Sequence, residues 1–181
     1  AVAWWVVTHY PQRLRKLAIL NVPYPTGLGR SFRAGNLRQM FRSWYIYFFQ
    51  LPWLPEMMLR LSARSSRNIL AASSRPDTFS DEDMARYRQA WAQPRALTSM
   101  INWYRAAIPV FTQAPVPPKG SIQVATLMLW GEQDVALGKE LARPSIELCA
   151  DGELIFFPQA THWVQHDEAA AVNAALTDFF R

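Results

Sequence analysis

Residues 126–134 read Thr-Leu-Met-Leu-Trp-Gly-Glu-Gln-Asp, a short apolar run that a glycine closes and that an acid, Asp134, follows. Apolar runs of this length that end at glycine are typical of strands buried in a sheet. The run therefore predicts a buried strand over residues 126–131. It also predicts that Asp134 lies just past the carboxyl end of that strand.

A second unit of the same kind follows along the chain. Residues 153–158 read Glu-Leu-Ile-Phe-Phe-Pro, and His162 comes four residues after that proline. Residues 139–148 fit a connecting helix despite Pro144. Open α/β sheets place their sites at the carboxyl ends of neighbouring strands. We therefore expect Asp134 and His162 to lie together at one edge of a parallel sheet.

This acid and this histidine are the residue types that general base catalysis requires. A histidine base needs an acceptor on its second ring nitrogen, and a buried carboxylate fixes the tautomer and stabilises the imidazolium. The order acid then histidine, late in the chain, is that of the α/β-hydrolases. Taken singly, Asp134 is also explained by turn chemistry and His162 by packing. Their positions on consecutive strand ends favour the catalytic interpretation.

Two segments near the start of the chain extend this sheet. Residues 1–10 are apolar almost throughout, as in a helix buried on most sides, and residues 17–22 predict a strand that Pro23 and Pro25 end. A helix that feeds a parallel strand normally follows another strand. The sequence starts directly inside this helical pattern, which predicts that the beginning of the protein is missing.

Helical patterns dominate from residue 26 to about residue 120. They include a helix that the capping-box sequence Ser80-Asp-Glu-Asp83 opens and another over residues 95–107. A helical block between two strands of one sheet is typical of an inserted cap. We therefore divide the chain into a partial core (1–25), a helical cap (26–120) and a carboxyl-terminal core (121–181).

Composition limits the classes of partner. The chain has 181 residues, of which 50% are hydrophobic, and 19 Lys and Arg against 14 Asp and Glu give a formal charge of +5. This is the composition of a globular domain with a sizeable core. Many arginines fall between Arg30 and Arg67 among aromatic residues, a pattern that nucleic acid or anionic lipid would attract. No nucleic-acid motif accompanies them, so we favour a solvated arginine face and expect no nucleic-acid partner.

Other features bear on compartment and metal content. The single Cys149 excludes an internal disulfide and fits a reducing compartment, so we expect a cytoplasmic protein. The most apolar stretch, residues 44–58, is interrupted by polar residues and prolines and is too short to span a membrane. No group of cysteines and histidines has the spacing of metal ligands.

Five segments form a recognisable set. They are Leu20-Asn-Val-Pro-Tyr-Pro25, Ser43-Trp-Tyr-Ile-Tyr-Phe-Phe-Gln-Leu-Pro52, Asn102-Trp-Tyr-Arg105, Trp130-Gly-Glu-Gln-Asp134, and Thr161, His162 and Trp163 with Asp167 beyond. Together they resemble the carboxyl-terminal part of the epoxide hydrolases of the α/β-hydrolase superfamily. The second and third segments are the more specific, because the acid and histidine loops are shared across the superfamily. The resemblance implies an α/β fold with parallel strands, helices and an inserted helical cap.

The resemblance also implies roles for individual residues. His162 matches the base of the family, and Asp134 matches the acid that orients it. Tyr104 and Tyr45 match the two cap tyrosines, whose phenols hydrogen-bond the epoxide oxygen. If both tyrosines serve one oxygen, we expect them to lie together, with Asp134 about 3 Å from Nδ1 of His162.

The implied reaction converts a small apolar epoxide and water into a vicinal diol. An aspartate attacks an epoxide carbon and forms an ester, while the tyrosines stabilise and protonate the leaving alkoxide. His162 then activates the water that hydrolyses the ester. Phe49 and Trp163 match positions that line the substrate pocket. This chemistry needs no metal and no cofactor.

One part of the family pattern has no match in the chain. The nucleophile of the family is an aspartate in a strand-to-helix elbow followed by Trp-Gly-Gly, and residues 1–5 match the helix just after that elbow. No Gly-x-Ser-x-Gly elbow is present either. We therefore expect this chain to be inactive by itself.

Alternatives to this interpretation remain open. A haloalkane or fluoroacetate dehalogenase shares the nucleophile, acid and histidine, but halide-binding donors replace the tyrosine pair. A non-catalytic truncated product is the second alternative. Tyr104 lies on an apolar stripe at helical spacing, and the aromatic run 44–49 also fits plain packing, so a structural role for both tyrosines is retained as an alternative.

Overall fold

The computed structural model describes residues 1–63, 70, 72–76, 78–113 and 115–181. All remaining positions fall within the predicted cap interval. Those parts of the cap prediction, and the arginines at positions 64 and 67, lie outside the described residues.

A three-stranded parallel sheet in the order β1-β2-β3 forms the centre of the structure. β1 spans Lys16–Leu20, β2 spans Ala125–Gly131 and β3 spans Gly152–Phe157. The predictions for β2 and β3 are therefore confirmed to within one residue at each end. Because all three strands are parallel, their carboxyl ends meet at one edge of the sheet.

Helices account for most of the remaining described residues. The first helix, α1, spans Val2–His9 and precedes β1. Between β1 and β2 the described residues form helices and no strand: α2 (Pro25–Arg33), α3 (Leu37–Arg42), α4 (Trp44–Phe48), α5 (Leu54–Ala63), α6 (Asp81–Trp91) and α7 (Ala96–Gln113). After β2 come α8 (Ala142–Ile146), α9 (Val164–Asp167) and α10 (Ala169–Phe180).

The alternation of side chains along β2 divides the core into two layers. Leu127 and Leu129 belong to a cluster on one face, which includes residues of α10, whereas Met128 and Trp130 belong to a cluster on the other face, which includes residues of α1. All four side chains are at most 1% exposed. Full burial of one such side chain contributes about 1.5–3 kcal/mol, so β2 anchors both layers.

Two predicted helices differ from those observed. The predicted helix at 139–148 is a 3₁₀ turn, Lys139–Leu141, followed by the short α8, in which Pro144 occupies the first turn and its missing N–H is not required. The helix predicted at 95–107 continues as α7 to residue 113 and accommodates Pro109. The capping box before α6 is present, with reciprocal hydrogen bonds between Ser80 and Asp83.

Arg105 fixes α7 against the connection between α4 and α5. Its guanidinium donates to the backbone oxygens of Phe49 at 2.9 Å and Leu51 at 2.7 Å. It also forms an ion pair with Glu56, at 2.6 Å, and the two side chains are only 26% and 12% exposed. A planar guanidinium suits such a set of acceptors because its donors form a rigid fork.

The described residues also bear on the expected absence of a membrane span. None of the helices within them combines the length and the apolar character needed to cross a membrane.

The Arg105 contacts lead to a stability prediction. Arg105→Met leaves a half-buried carboxylate and two carbonyls without their donor, so we expect the free energy of unfolding to fall by about 1.5–3 kcal/mol. Arg86→Met is the matched control, because Arg86 pairs with Glu82 on an exposed helix surface and should lose only about 0.3–0.5 kcal/mol. Urea denaturation of both variants measures the difference. Equal losses would show that the Arg105 contacts do not fix α7.

Candidate active site

The structure brings the predicted acid and histidine together at the carboxyl edge of the sheet. Nδ1 of His162 lies 2.7 Å from Oδ2 of Asp134, as predicted. The Asp134 side chain is fully buried, whereas that of His162 is 33% exposed. A hydrogen bond through Nδ1 leaves Nε2 of the imidazole as the atom that can accept a proton from a reactant.

Asp134 is surrounded by hydrogen-bond donors. Its Oδ1 accepts the backbone N–H groups of Ala136 at 2.7 Å and Leu137 at 2.9 Å. Its Oδ2 accepts the Nδ2 donor of Asn21 at 2.8 Å in addition to the contact with His162. Burial alone would raise the pKa of Asp134, but the hydrogen bonds and charge of His162, with those from Asn21 and the Leu137 amide, hold the pKa below its ordinary value. The acid is thereby kept ionised.

Asn21 is a site residue that the functional predictions did not include. It follows β1, is 1% exposed, and has a φ of 46° in the left-handed region that asparagine tolerates. Its Oδ1 accepts the N–H of Gly131 at 2.8 Å, and its Nδ2 also lies 3.3 Å from the carbonyl oxygen of Thr161. One side chain thus links the ends of β1 and β2 with the acid and histidine loops. The sequence signal is a polar residue between an apolar strand and Pro23.

The backbone of the histidine loop passes directly against the end of β2. A Cβ atom at Gly131 would overlap the carbonyl oxygens of Thr161 and Ala160. The N–H of Gln133 donates to the carbonyl oxygen of Ala160 at 2.9 Å. The glycine that closes the strand is therefore required because the acid and histidine loops approach each other here without side chains between them.

Asp167 holds the histidine loop from the other side. Its Oδ2 accepts the N–H of Thr161 at 2.7 Å and the Thr161 hydroxyl at 2.6 Å, and its Oδ1 accepts the Thr78 hydroxyl at 2.7 Å. Burial opposes ionisation of this carboxyl, but the hydrogen bonds from Thr161 and Thr78 and the charge of Arg75 lower its pKa overall. Thr161, which directly precedes His162, is therefore fixed by Asp167 on one side and by Asn21 on the other.

The two predicted tyrosines lie against each other. The ring centroids of Tyr45, on α4, and Tyr104, on α7, are 5.5 Å apart in an edge-to-face arrangement. Phe49 contacts both rings, at 5.8 Å from Tyr45 and 5.0 Å from Tyr104. The backbone contacts of Arg105 hold the two helices in this arrangement.

Tyr45 also interacts electrostatically with the acid. Burial raises the pKa of Tyr45, and the nearby Tyr104 and the Asp134 carboxylate raise it further. Burial also raises the pKa of Tyr104. Both phenols therefore stay protonated at neutral pH, as hydrogen-bond donors must. Their catalytic role stays a prediction.

Trp163 lies beside the histidine but is held by the helical segment. Its ring centroid is 5.7 Å from that of His162 and 5.1 Å from that of Phe79. Its Nε1 donates to the hydroxyl of Ser73 at 2.9 Å. The side chain therefore connects the histidine loop to the residues before α6, and its predicted contact with substrate stays a prediction.

No three acidic, histidine or cysteine side chains cluster as metal ligands within the described residues.

Comparison with known proteins shows which proteins this chain resembles in sequence and in fold. The chain is 36% identical over 183 residues to the AB hydrolase superfamily protein YfhM of Bacillus subtilis, and 31% identical over 184 residues to epoxide hydrolase 2 of Caenorhabditis elegans. Among solved structures, an epoxide hydrolase from Bacillus megaterium matches 99% of the chain with a TM-score of 0.83 and 23% identity. The chain has the α/β-hydrolase fold.

The matches cover nearly all of this chain but only part of each known protein. They cover 100% and 98% of this chain, but only 62% of the Bacillus subtilis protein and 51% of the Caenorhabditis elegans protein. The Bacillus megaterium structure is matched over 65% of its length. No family model matches the chain. The chain thus spans about half to two thirds of its relatives, and the activity of a whole protein is a matter for proposal.

The contacts of Asn21 give a second prediction. Asn21→Gly removes the side-chain hydrogen bonds, but glycine tolerates the left-handed backbone. We therefore expect the free energy of unfolding to fall by about 1–3 kcal/mol. Asn21→Ala should lose about 1 kcal/mol more, because alanine disfavours positive φ. Urea denaturation provides the ranking, and Asn173→Ala on the exposed surface of α10 is the control. Variants as stable as the wild type would show that the amide contacts are dispensable.

The depressed pKa of Asp134 gives a third prediction. The pKa of an aspartate in an unfolded chain is about 3.9. At pH values just below this pKa, the unfolded chain therefore binds more protons than the folded chain. The stabilisation is complete above the unfolded pKa and is lost as the pH falls through the folded pKa. Asp134→Asn should therefore reduce the slope of unfolding free energy against pH between about pH 5 and 2. Asp178→Asn, at an exposed position of α10, should retain the wild-type slope; parallel curves for all three proteins would contradict the prediction.

Proposed function

We propose that this chain supplies the base, the orienting acid and two hydrogen-bond donors for the hydrolysis of small apolar epoxides to vicinal diols. The observation that supports this most directly is the ring contact between Tyr45 and Tyr104, together with the electrostatic effect on Tyr45 of the Asp134 carboxylate, which pairs with His162. The names of the relatives, which include several epoxide hydrolases, point to the same activity.

The first half of the proposed reaction uses the tyrosines. A carboxylate nucleophile bonds to one epoxide carbon as the ring C–O bond breaks, and the electron pair stays on the ring oxygen. Two neutral phenols aimed at that oxygen stabilise the developing alkoxide, and one of them protonates it. Their raised pKa values suit this role, because an ionised phenolate would neither donate nor tolerate the negative charge.

The second half uses the acid and the histidine. Nε2 of His162 takes a proton from water, and the water oxygen attacks the ester carbonyl. The ester C–O bond then breaks, the departing alkoxide takes the proton of the added hydroxyl, and the diol leaves as the carboxylate is restored. The proton on Nε2 passes to the phenolate, which returns both groups to their starting state. Asp134 holds Nδ1–H of the imidazole and stabilises its protonated form. The one-third exposure of His162 leaves room for a water molecule at Nε2.

The nucleophile in this proposal is an aspartate that the described residues do not supply. Among the described residues, Asp134 and Asp167 are occupied by the contacts given above, and Asp83 caps α6. The other described aspartates are exposed: Asp81, Asp151 and Asp178.

We extend the proposal to the division of the chain into a core, formed by residues 1–25 and 121–181, and a helical cap, formed by residues 26–120. The position of Tyr45 and Tyr104 on helices between β1 and β2 supports this division, because the sheet then supplies the base and the cap supplies the donors.

The fourth prediction tests the function in two stages. The purified chain, mixed with an aromatic epoxide, should form no more diol than a His162→Ala control. In a protein that contains both this chain and the nucleophile, His162→Gln should permit alkylation but slow ester hydrolysis by about 10²–10⁴-fold. The covalent adduct should then accumulate and be measured as added mass.

Three outcomes would contradict the proposal. Diol formation by the chain alone would overturn the assignment of the nucleophile, and unchanged turnover in His162→Gln would remove the histidine from the mechanism. Release of halide from a haloalkane without conversion of the epoxide would favour a dehalogenase on the same scaffold.

A further inference from the structure

Gln39 is a buried polar residue for which the mechanism above gives no role. It lies on α3 and is 0% exposed. Burying an amide is unfavourable unless its donors and acceptor are satisfied, and here each of them is. The partners lie in two different parts of the site.

Two of the Gln39 contacts go to the acid loop. Its Oε1 accepts the N–H of Gly138 at 2.9 Å, and its Nε2 donates to the carbonyl oxygen of Ala136 at 2.9 Å. The amide therefore spans Leu137 and pairs with the backbone on both sides of it, as a neighbouring strand would.

The same loop is held from its inner side by the catalytic acid. Oδ1 of Asp134 accepts the N–H groups of Ala136 and Leu137. The loop from Asp134 to Gly138 thus lies between two side chains, the Asp134 carboxylate from the core and the Gln39 amide from the helical segment. Loss of the amide would leave a buried backbone N–H and a backbone carbonyl without partners.

The third contact leads towards the tyrosine pair. Nε2 of Gln39 also donates to the hydroxyl of Ser43 at 2.8 Å. Ser43 is 0% exposed and directly precedes α4, on which Tyr45 lies two residues further along. A continuous path of hydrogen bonds and one helical turn therefore joins the acid loop to the proton donor.

We propose that Gln39 is a positioning residue that sets the separation between the phenol of Tyr45 and the Asp134–His162 pair. It does not touch the reacting atoms. The inference concerns the geometry of the site, and only its kinetic consequence rests on the proposed function. Without this contact the acid keeps its bonds to Asn21 and to its own loop, whereas Tyr45 loses its connection to that loop.

The test compares Gln39→Met and Gln39→Glu with Gln93→Met, the same change at an exposed glutamine. Methionine has a similar length but makes none of the three contacts. A glutamate side chain has the shape of glutamine, but only its protonated form can donate to the carbonyl oxygen of Ala136; the ionised form can still accept from Gly138 and Ser43. Gln39→Glu should therefore approach the wild type at low pH and move towards Gln39→Met at high pH.

The first readout, which requires no activity, is NMR of the chain itself. Gln39→Met should shift the ring signals of Tyr45, assigned with Tyr45→Phe, and accelerate amide exchange at Gly138 by about tenfold or more, the factor that matches one lost hydrogen bond. Exchange at β2 amides should change much less. If Tyr45 signals and Gly138 exchange match those of Gln93→Met, the proposal is wrong. Should Gln39→Met fail to fold, the pH dependence of Gln39→Glu decides between the same two outcomes.

The second readout is kinetic, in a protein that also contains the nucleophile. Gln39→Met should slow alkylation, which uses Tyr45, by about tenfold and slow ester hydrolysis, which uses His162, by less. If Gln39 has a purely structural role, Gln39→Met should lower the fraction of active protein and leave the rate constants of alkylation and ester hydrolysis unchanged. That result would overturn the proposal. If NMR shows the expected changes and no variant forms a diol, the proposed function fails and the positioning role stands.

Discussion

The carboxylate of Asp134 is a charge with no exposed side-chain surface, and the rest of the site depends on how that charge is satisfied. Removing a partner from a buried charge costs several kcal/mol. In this structure the carboxylate accepts hydrogen bonds from three parts of the chain: its own loop, Asn21 at the end of β1, and His162. The contacts that make the charge tolerable are thus the contacts that bring the three strand ends together.

Features determined by local sequence could be predicted. β2 and β3 followed from short apolar runs closed by Gly131 and Pro158, and the pairing of Asp134 with His162 followed from two parallel strand ends. The role of Asn21 could not be predicted in this way. Its partner Asp134 lies 113 residues further along the chain, and a polar residue between a strand and a proline is also typical of an ordinary turn.

The helical segment between β1 and β2 also contains some features that local sequence predicts and others that it does not. The capping box before α6 was predictable because both of its members lie within four residues. The end of α7 was not, because its continuation past Pro109 depends on tertiary packing that outweighs the local cost of proline. The contact between Tyr45 and Tyr104 was expected from family resemblance alone. Its physical cause is the set of contacts that Arg105 makes with the α4–α5 connection and with Glu56. These residues are about fifty positions apart, so the contacts leave no periodic signal in the sequence.

The close approach at Gly131 has a consequence for protein engineering. The spacing between the acid and histidine loops is set by backbone touching backbone, with no side chain that could be enlarged or trimmed to adjust it. Replacement of side chains around the site therefore leaves the spacing between the Asp134 and His162 loops unchanged. Changing that spacing would require a different strand end or an inserted loop residue.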